Sequence, residues 1–72
     1  MPEKIFKKFE IKSDECRLVA GQDIYPETVV GTDYCTGIMV YAGCSGRVRR
    51  VYYHPSHHSM MVLVEDRAGW RS

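Results

Sequence analysis

Apolar runs and glycine- or proline-marked breaks alternate through the second half of the chain, and this pattern predicts strands. GIMVYA at 37–42 is rich in sheet formers, and Gly43-Cys44-Ser45-Gly46 after it is a glycine-bracketed turn. RVRRVYY at 47–53 is the next strand, HPSHHS a polar turn, and MMVLVED at 60–66 a third strand. Three strands joined by connections of a few residues predict an antiparallel meander.

The alternation inside these runs carries more detail. Val48 and Val51 are three residues apart, so a regular pleat cannot send both into one core. A bulge near Arg49-Arg50 restores agreement. Without it, Val48, Arg50 and Tyr52 face one way and Arg49, Val51 and Tyr53 the other. The 60–66 run is apolar on both faces, with Met60, Val62 and Val64 opposite Met61 and Leu63. The 37–42 run is similar, with Ile38 and Val40 opposite Met39 and Tyr41. A sheet with one solvated face alternates more strictly. The expectation is a sheet that curls into a barrel partly covered by the N-terminal arm, or one whose outer face meets another subunit.

The first half is less regular. Residues 1–12 read as a strand or extended arm, with Ile5, Phe9 and Ile11 on one face and Lys7 interrupting. A short helix is the alternative, since Pro2 suits a first turn and Ile5 and Phe9 lie one turn apart. Ser13-Asp14-Glu15 reads as a turn, CRLVA at 16–20 as a short strand, and Thr28-Val29-Val30 as another apolar run closed by Gly31-Thr32-Asp33. Tyr25 precedes Pro26 and is biased towards an extended backbone. The terminal DRAGWRS leaves the last strand through a turn, from which Trp70 returns to cap the barrel or enters an interface.

With 72 residues the chain is read as a single small β-rich domain, 1–72. Its composition, 44% hydrophobic, is that of a folding chain rather than a disordered one. The fold class expected is mainly β, either a small SH3-like barrel or a strongly curled antiparallel sheet. Ten Lys and Arg against nine Asp and Glu give a net charge of +1, which supplies no global pull towards nucleic acid or acidic membranes. The start MPEKIFKKFEIK lacks the apolar run of a signal peptide, and no segment is apolar enough to span a membrane. An odd number of cysteines, three, argues against a closed extracellular disulfide framework. A cytoplasmic protein without a membrane partner is expected.

The stretch GRVRRVYYHPSHHSMMVLVED resembles the Gly-x-Val strand opening of KOW-type and related SH3-like barrels. Gly46 and Val48 match the opening, and Met60 to Asp66 the apolar strand that ends in acid. The resemblance covers about a third of the chain. It implies a small barrel, and a family of roles that includes RNA, ribosomal, peptide and subunit binding.

The residues themselves offer several chemistries. Zinc or another transition metal would draw on Cys35, Cys44, His54, His57 and His58, with Cys16 a further thiol. No pair of cysteines has the short spacing of a zinc knuckle, and small buried thiols with solvent-facing loop histidines are the plainer reading, so no cofactor is expected. Cys35 and Cys44 could also approach each other as a reversible disulfide. Cys44 with His54 or His57 can be drawn as nucleophile and base, but no orienting acid or oxyanion donor follows, and the chain is not expected to be an enzyme. RNA binding has local support: Arg47, Arg49 and Arg50 can contact phosphate, Tyr52, Tyr53 and Trp70 can stack on bases, and no acid occurs from Tyr34 to Val64. Protein interaction is the broadest reading, since Tyr and Arg are favoured anchors. The expected function is a non-catalytic protein-interaction or assembly module, a regulatory subunit or homo-oligomer, recognising a protein partner through Tyr41, Arg47, Arg49, Arg50, Tyr52, Tyr53 and Trp70. RNA binding and metal binding are the alternatives.

Overall fold

A computed structural model describes residues 4–70, without the Trp70 side chain. Six strands follow in chain order: β1 (Phe6–Lys12), β2 (Asp23–Ile24), β3 (Val29–Thr32), β4 (Met39–Tyr41), β5 (Gly46–His54) and β6 (Ser59–Asp66), with a 3-10 turn at Arg67–Trp70. The residues Phe6–Lys12 are strand rather than helix. Pro2, on which the helical reading leaned, lies outside the described residues. Among the described residues no helix is long and apolar enough to cross a membrane.

The main sheet is antiparallel in the order β1-β6-β5-β2, and β3 and β4 form a second ladder. An isolated bridge between Ile11 and Asp33 ties β1 to the end of β3. The result is mainly β, a strongly curled antiparallel half-barrel.

Registers on both sides of β6 fix the two faces, because directly paired residues share a face. The inner rows are Lys7–Val64–Val48, Phe9–Val62–Val51 and Ile11–Met60–Tyr53. The outer rows are Lys8–Leu63–Arg50, Glu10–Met61–Tyr52 and Lys12–Ser59–His54. The ladder between β5 and β6 shifts register between Val48, paired with Val64, and Arg50, paired with Leu63. Arg49 is the extra residue. This bulge turns both Val48 and Val51 inward, as their spacing of three requires. Val48, Val62 and Val64 are fully buried together with Ile11, Ile24 and Val30.

The meander is corrected. β4 pairs with β3 and not with β5. The chain leaving β4 stays against residues 26–28, where the Ala42 N–H donates to the Thr28 carbonyl (2.8 Å) and the Gly43 N–H to the Pro26 carbonyl (3.0 Å). The place beside the start of β5 is taken by β2 and the residues before it, through Gly21 N–H to Val48 O (2.8 Å) and Val48 N–H to Gln22 O (2.9 Å). The 16–20 segment is also not a strand. It is anchored by one buried side chain, Leu18, and by the Arg17 N–H on the Val30 carbonyl (3.1 Å), while Val19 is exposed.

Candidate functional site

The last six residues of β5, Arg49–His54, form the feature that stands out chemically. β6 pairs with β5 along its whole length, but β2 reaches only Gly46 and Arg47, and the bonds from residues 21 and 22 end at Val48. Beyond Val48 the far side of β5 has no strand neighbour among the described residues. In an antiparallel strand, alternate residues direct their N–H and C=O groups to opposite edges, so about three of these six point both groups outward. β5 therefore ends in an open edge whose side chains are two arginines, a valine, two tyrosines and a histidine.

The charges along this strand are differently placed. The Arg47 Nε donates to Asp23 Oδ1 at 3.0 Å across the β2–β5 pair, with both side chains exposed. The Arg49 Nε reaches Glu65 Oε1 at 2.5 Å, where Glu65 is 4% exposed. A buried carboxylate needs such a partner, so Arg49 has a structural task. The Arg50 guanidinium lies over the Tyr52 ring, 4.5 Å from its centroid, a cation–π contact. Arg50, and Lys8 in the same outer row, take part in no ion pair among the described residues.

At the far end of the edge, the residues 55–58 return the chain to β6. His58 adopts φ +54°, a left-handed conformation that histidine accepts more readily than most residues. Its Nδ1 lies 2.6 Å from the Tyr53 hydroxyl. His57 stacks between two rings, with His54 at 4.3 Å and Tyr34 at 5.3 Å between centroids. Its backbone N–H donates to His54 Nδ1 at 3.3 Å. Glu10 holds the loop to β1: its Oε2 accepts from the Ser59 hydroxyl at 2.6 Å and faces His57 Nδ1 at 2.6 Å. The hydrogen bond from Ser59, followed by that from His57, lowers the Glu10 pKa below the usual glutamate value. Asp33 is lowered as well, chiefly by the backbone N–H of Thr36 at 2.8 Å.

These two carboxylates set an acid limit on stability. A native pKa below the unfolded value means the unfolded chain takes up the proton first as pH falls. Their contribution is whole above the ordinary carboxylate range, about pH 4, and is lost as pH falls through the lowered native values. Urea midpoints measured from pH 7 to pH 2.5 are expected to drop below about pH 4. The Glu10→Gln, Asp33→Asn double variant should start lower and show a shallower acid limb; an unchanged limb would contradict the assignment.

Tyr41 is not part of the β5 strip. It is exposed on β4, whose one close strand neighbour among the described residues is β3, and it sits there with exposed Ile38 and Met39. Trp70 closes the 3-10 turn, and its side chain lies outside the described residues. Glu10, Ser59 and Tyr34 were missed by the sequence reading. They come from three separate places in the chain, and only the β1–β6 register brings Glu10 and Ser59 to adjacent rows.

The metal candidates do not converge. Cys35 is exposed in the β3–β4 loop, where its N–H donates to Asp33 Oδ2 at 3.0 Å. Cys44 is buried in the hydrophobic core. His58 is engaged with Tyr53, while His54 and His57 stack on each other. Among the described residues no three His, Cys, Asp or Glu side chains gather into a ligating set. All three cysteines are free thiols, and burial pushes the Cys44 thiol pKa up, the reverse of an activated nucleophile. Titration with an aromatic disulfide reagent should label Cys35 at once and Cys44 only on unfolding. Equal rates for the two would contradict this placement.

Fold and strip together define a small half-barrel β-protein in which the end of β5 is an open, basic and aromatic strand edge. No family model, curated protein or solved structure matches the chain.

Proposed function

We propose that the protein is a non-catalytic protein-interaction or assembly module. The observation that supports this most is the unpaired edge of β5 from Arg49 to His54. An open edge is a template for another chain, and proteins that do not use one shorten or cover it. Two further features favour the same reading. The outer sheet face has half-buried Leu63, Met61 and Tyr52 at its centre, and Ile38, Met39 and Tyr41 are exposed on β4.

RNA binding is the second reading, favoured by the Arg50–Tyr52 stack and by Tyr53, which is 49% exposed. It ranks lower because Arg47 and Arg49 face Asp23 and Glu65, which phosphate would have to displace.

Native mass spectrometry of untagged, gently purified protein, with a titration of oligouridine at two salt concentrations, separates the two. A homo-oligomer or a stoichiometric protein complex, with no binding of oligouridine at either salt concentration, is the expected result. A ligand-free monomer that binds oligouridine, with affinity falling steeply with salt, would contradict the proposal and favour RNA.

A further inference from the structure

The chemistry of the open edge narrows what it can accept, and this inference rests on the interaction reading above. We propose that the Arg49–His54 edge of β5 takes up an extended acidic segment of a partner protein, added as one further strand.

The backbone provides the first half of the argument. Strand addition needs a run of outward N–H and C=O groups with no neighbour in the way, and Arg49–His54 offers that over six residues. The β4 edge, at Met39–Tyr41, is half that length, and the β1 edge is open over only Phe6–Phe9, since the Tyr34 N–H on the Glu10 carbonyl (3.0 Å) and the Ile11–Asp33 bridge occupy its far end.

Charge provides the second half. The outer-face acids near the edge are already engaged, Glu65 with Arg49 and Glu10 with Ser59 and His57. The outer-face cations Lys8 and Arg50, which share the row through Leu63, face no carboxylate among the described residues. No acid occurs from Tyr34 to Val64 to offset them. The same arginines argue against a second copy as occupant. Two β5 strands paired antiparallel about a twofold axis through Arg49–His54 would set Arg50 opposite Tyr53 and Arg49 opposite His54, so the second copy would bring no acid to Arg50. Charged edge residues commonly guard against indiscriminate pairing. Here they repel basic strands, gain nothing from an identical one and attract acidic ones.

Pleating then predicts the pattern of the guest. Side chains opposite Arg50, Tyr52 and His54 lie on the outer face, and those opposite Val51 and Tyr53 on the inner face. The matching segment alternates acid and apolar, with its acids beside Arg50 and its apolar side chains extending the Val51–Tyr53 row.

The test uses the full chain and a fluorescein-labelled, glycine-flanked hexapeptide of alternating Glu and Val. Its controls are a Lys–Val counterpart, oligouridine, and two N-methylated Glu–Val peptides, each blocked along one of its two edges. Anisotropy gives affinity, and amide hydrogen exchange locates the site. The Glu–Val peptide should bind and slow exchange in Arg49–His54. One N-methylated peptide should lose binding while the other keeps it, which only strand pairing explains. Arg50→Glu is expected to weaken the Glu–Val peptide by about tenfold or more and to improve the Lys–Val peptide. Arg49 is left in place, because its ion pair with the buried Glu65 carboxylate belongs to the structure of the strand itself.

Equal binding of both N-methylated peptides, or protection outside β5, would overturn the proposal without relying on any variant. So would binding of oligouridine with none of the peptide. A salt-resistant dimer that protects Arg49–His54 yet ignores the peptide would overturn the acidic-strand proposal and leave the assembly reading standing. A monomer that binds neither peptide nor any protein would overturn both.

Discussion

Replacing Gly31 with alanine is expected to remove a large part of the stability of the chain. Gly31 has φ +152°, within the range L side chains rarely adopt. The cause is the irregularity in the β3–β4 ladder, which pairs Val29 with Tyr41 and Gly31 with Val40, leaving Val30 to turn into the core. A Cβ at Gly31 would sit 2.4 Å from the Glu15 carbonyl oxygen and 2.5 Å from Ile11 Cγ2. The first obstacle is backbone and the second a fully buried side chain, so neither yields cheaply. Backbone strain of this kind costs about 1–3 kcal/mol and overpacking about the same again. A domain of this size has a stability of only about 4–11 kcal/mol. Circular dichroism melts should show the midpoint falling by about 10 °C or more, or no cooperative transition at all. A midpoint within a few degrees of the wild type would contradict the close approach.

Ile11→Ala is the second large effect. Ile11 is fully buried in β1 at the point where the bridge to Asp33 joins the two ladders. Truncating a buried isoleucine costs about 2–5 kcal/mol through lost burial and the cavity left behind. Ile11→Val should cost only about 0.5–1.5 kcal/mol. Urea unfolding measures both, and a loss for Ile11→Ala no larger than for Ile11→Val would contradict the junction. The two sites touch, so their effects should not add. Removing Ile11 Cγ2 relieves one of the two Gly31 clashes, and the Ile11→Ala, Gly31→Ala double variant is expected to lose less than the two losses combined.

Local pattern carried the part of the fold that is local. The β5–β6 hairpin and the bulge near Arg49 follow from apolar spacing and a polar turn, because the rule that Val48 and Val51 must share a core acts within a few residues. The pairing of β5 with the residues around Asp23, rather than with the 37–42 strand, did not follow. It depends on hydrogen bonds from Ala42 and Gly43 back to residues 26–28, and those groups have no signature in side-chain pattern. The site divides in the same way. Arg49, Arg50, Tyr52, Tyr53 and His54 are contiguous in sequence and remain together on one strand. Tyr41 belongs to another ladder. The interactions that distinguish the arginines, Arg49 on Glu65 and Arg50 on Tyr52, needed the register before one could be seen as structural and the other as available. Glu10 reaches the histidine loop from 47 positions away in the chain, a contact set by the β1–β6 pairing alone.

Strand addition requires β5 to be open beyond Val48, and residue-resolved amide exchange of the free protein at low concentration tests that most directly. Protected amides are expected throughout the central strand β6, with an alternation of fast and slow exchange in Arg49–His54, the fast ones being the N–H groups that point away from β6. Uniform protection of Arg49–His54 in a protein shown to be monomeric in the same sample would mean that something within the chain already covers the edge, and would contradict strand addition there.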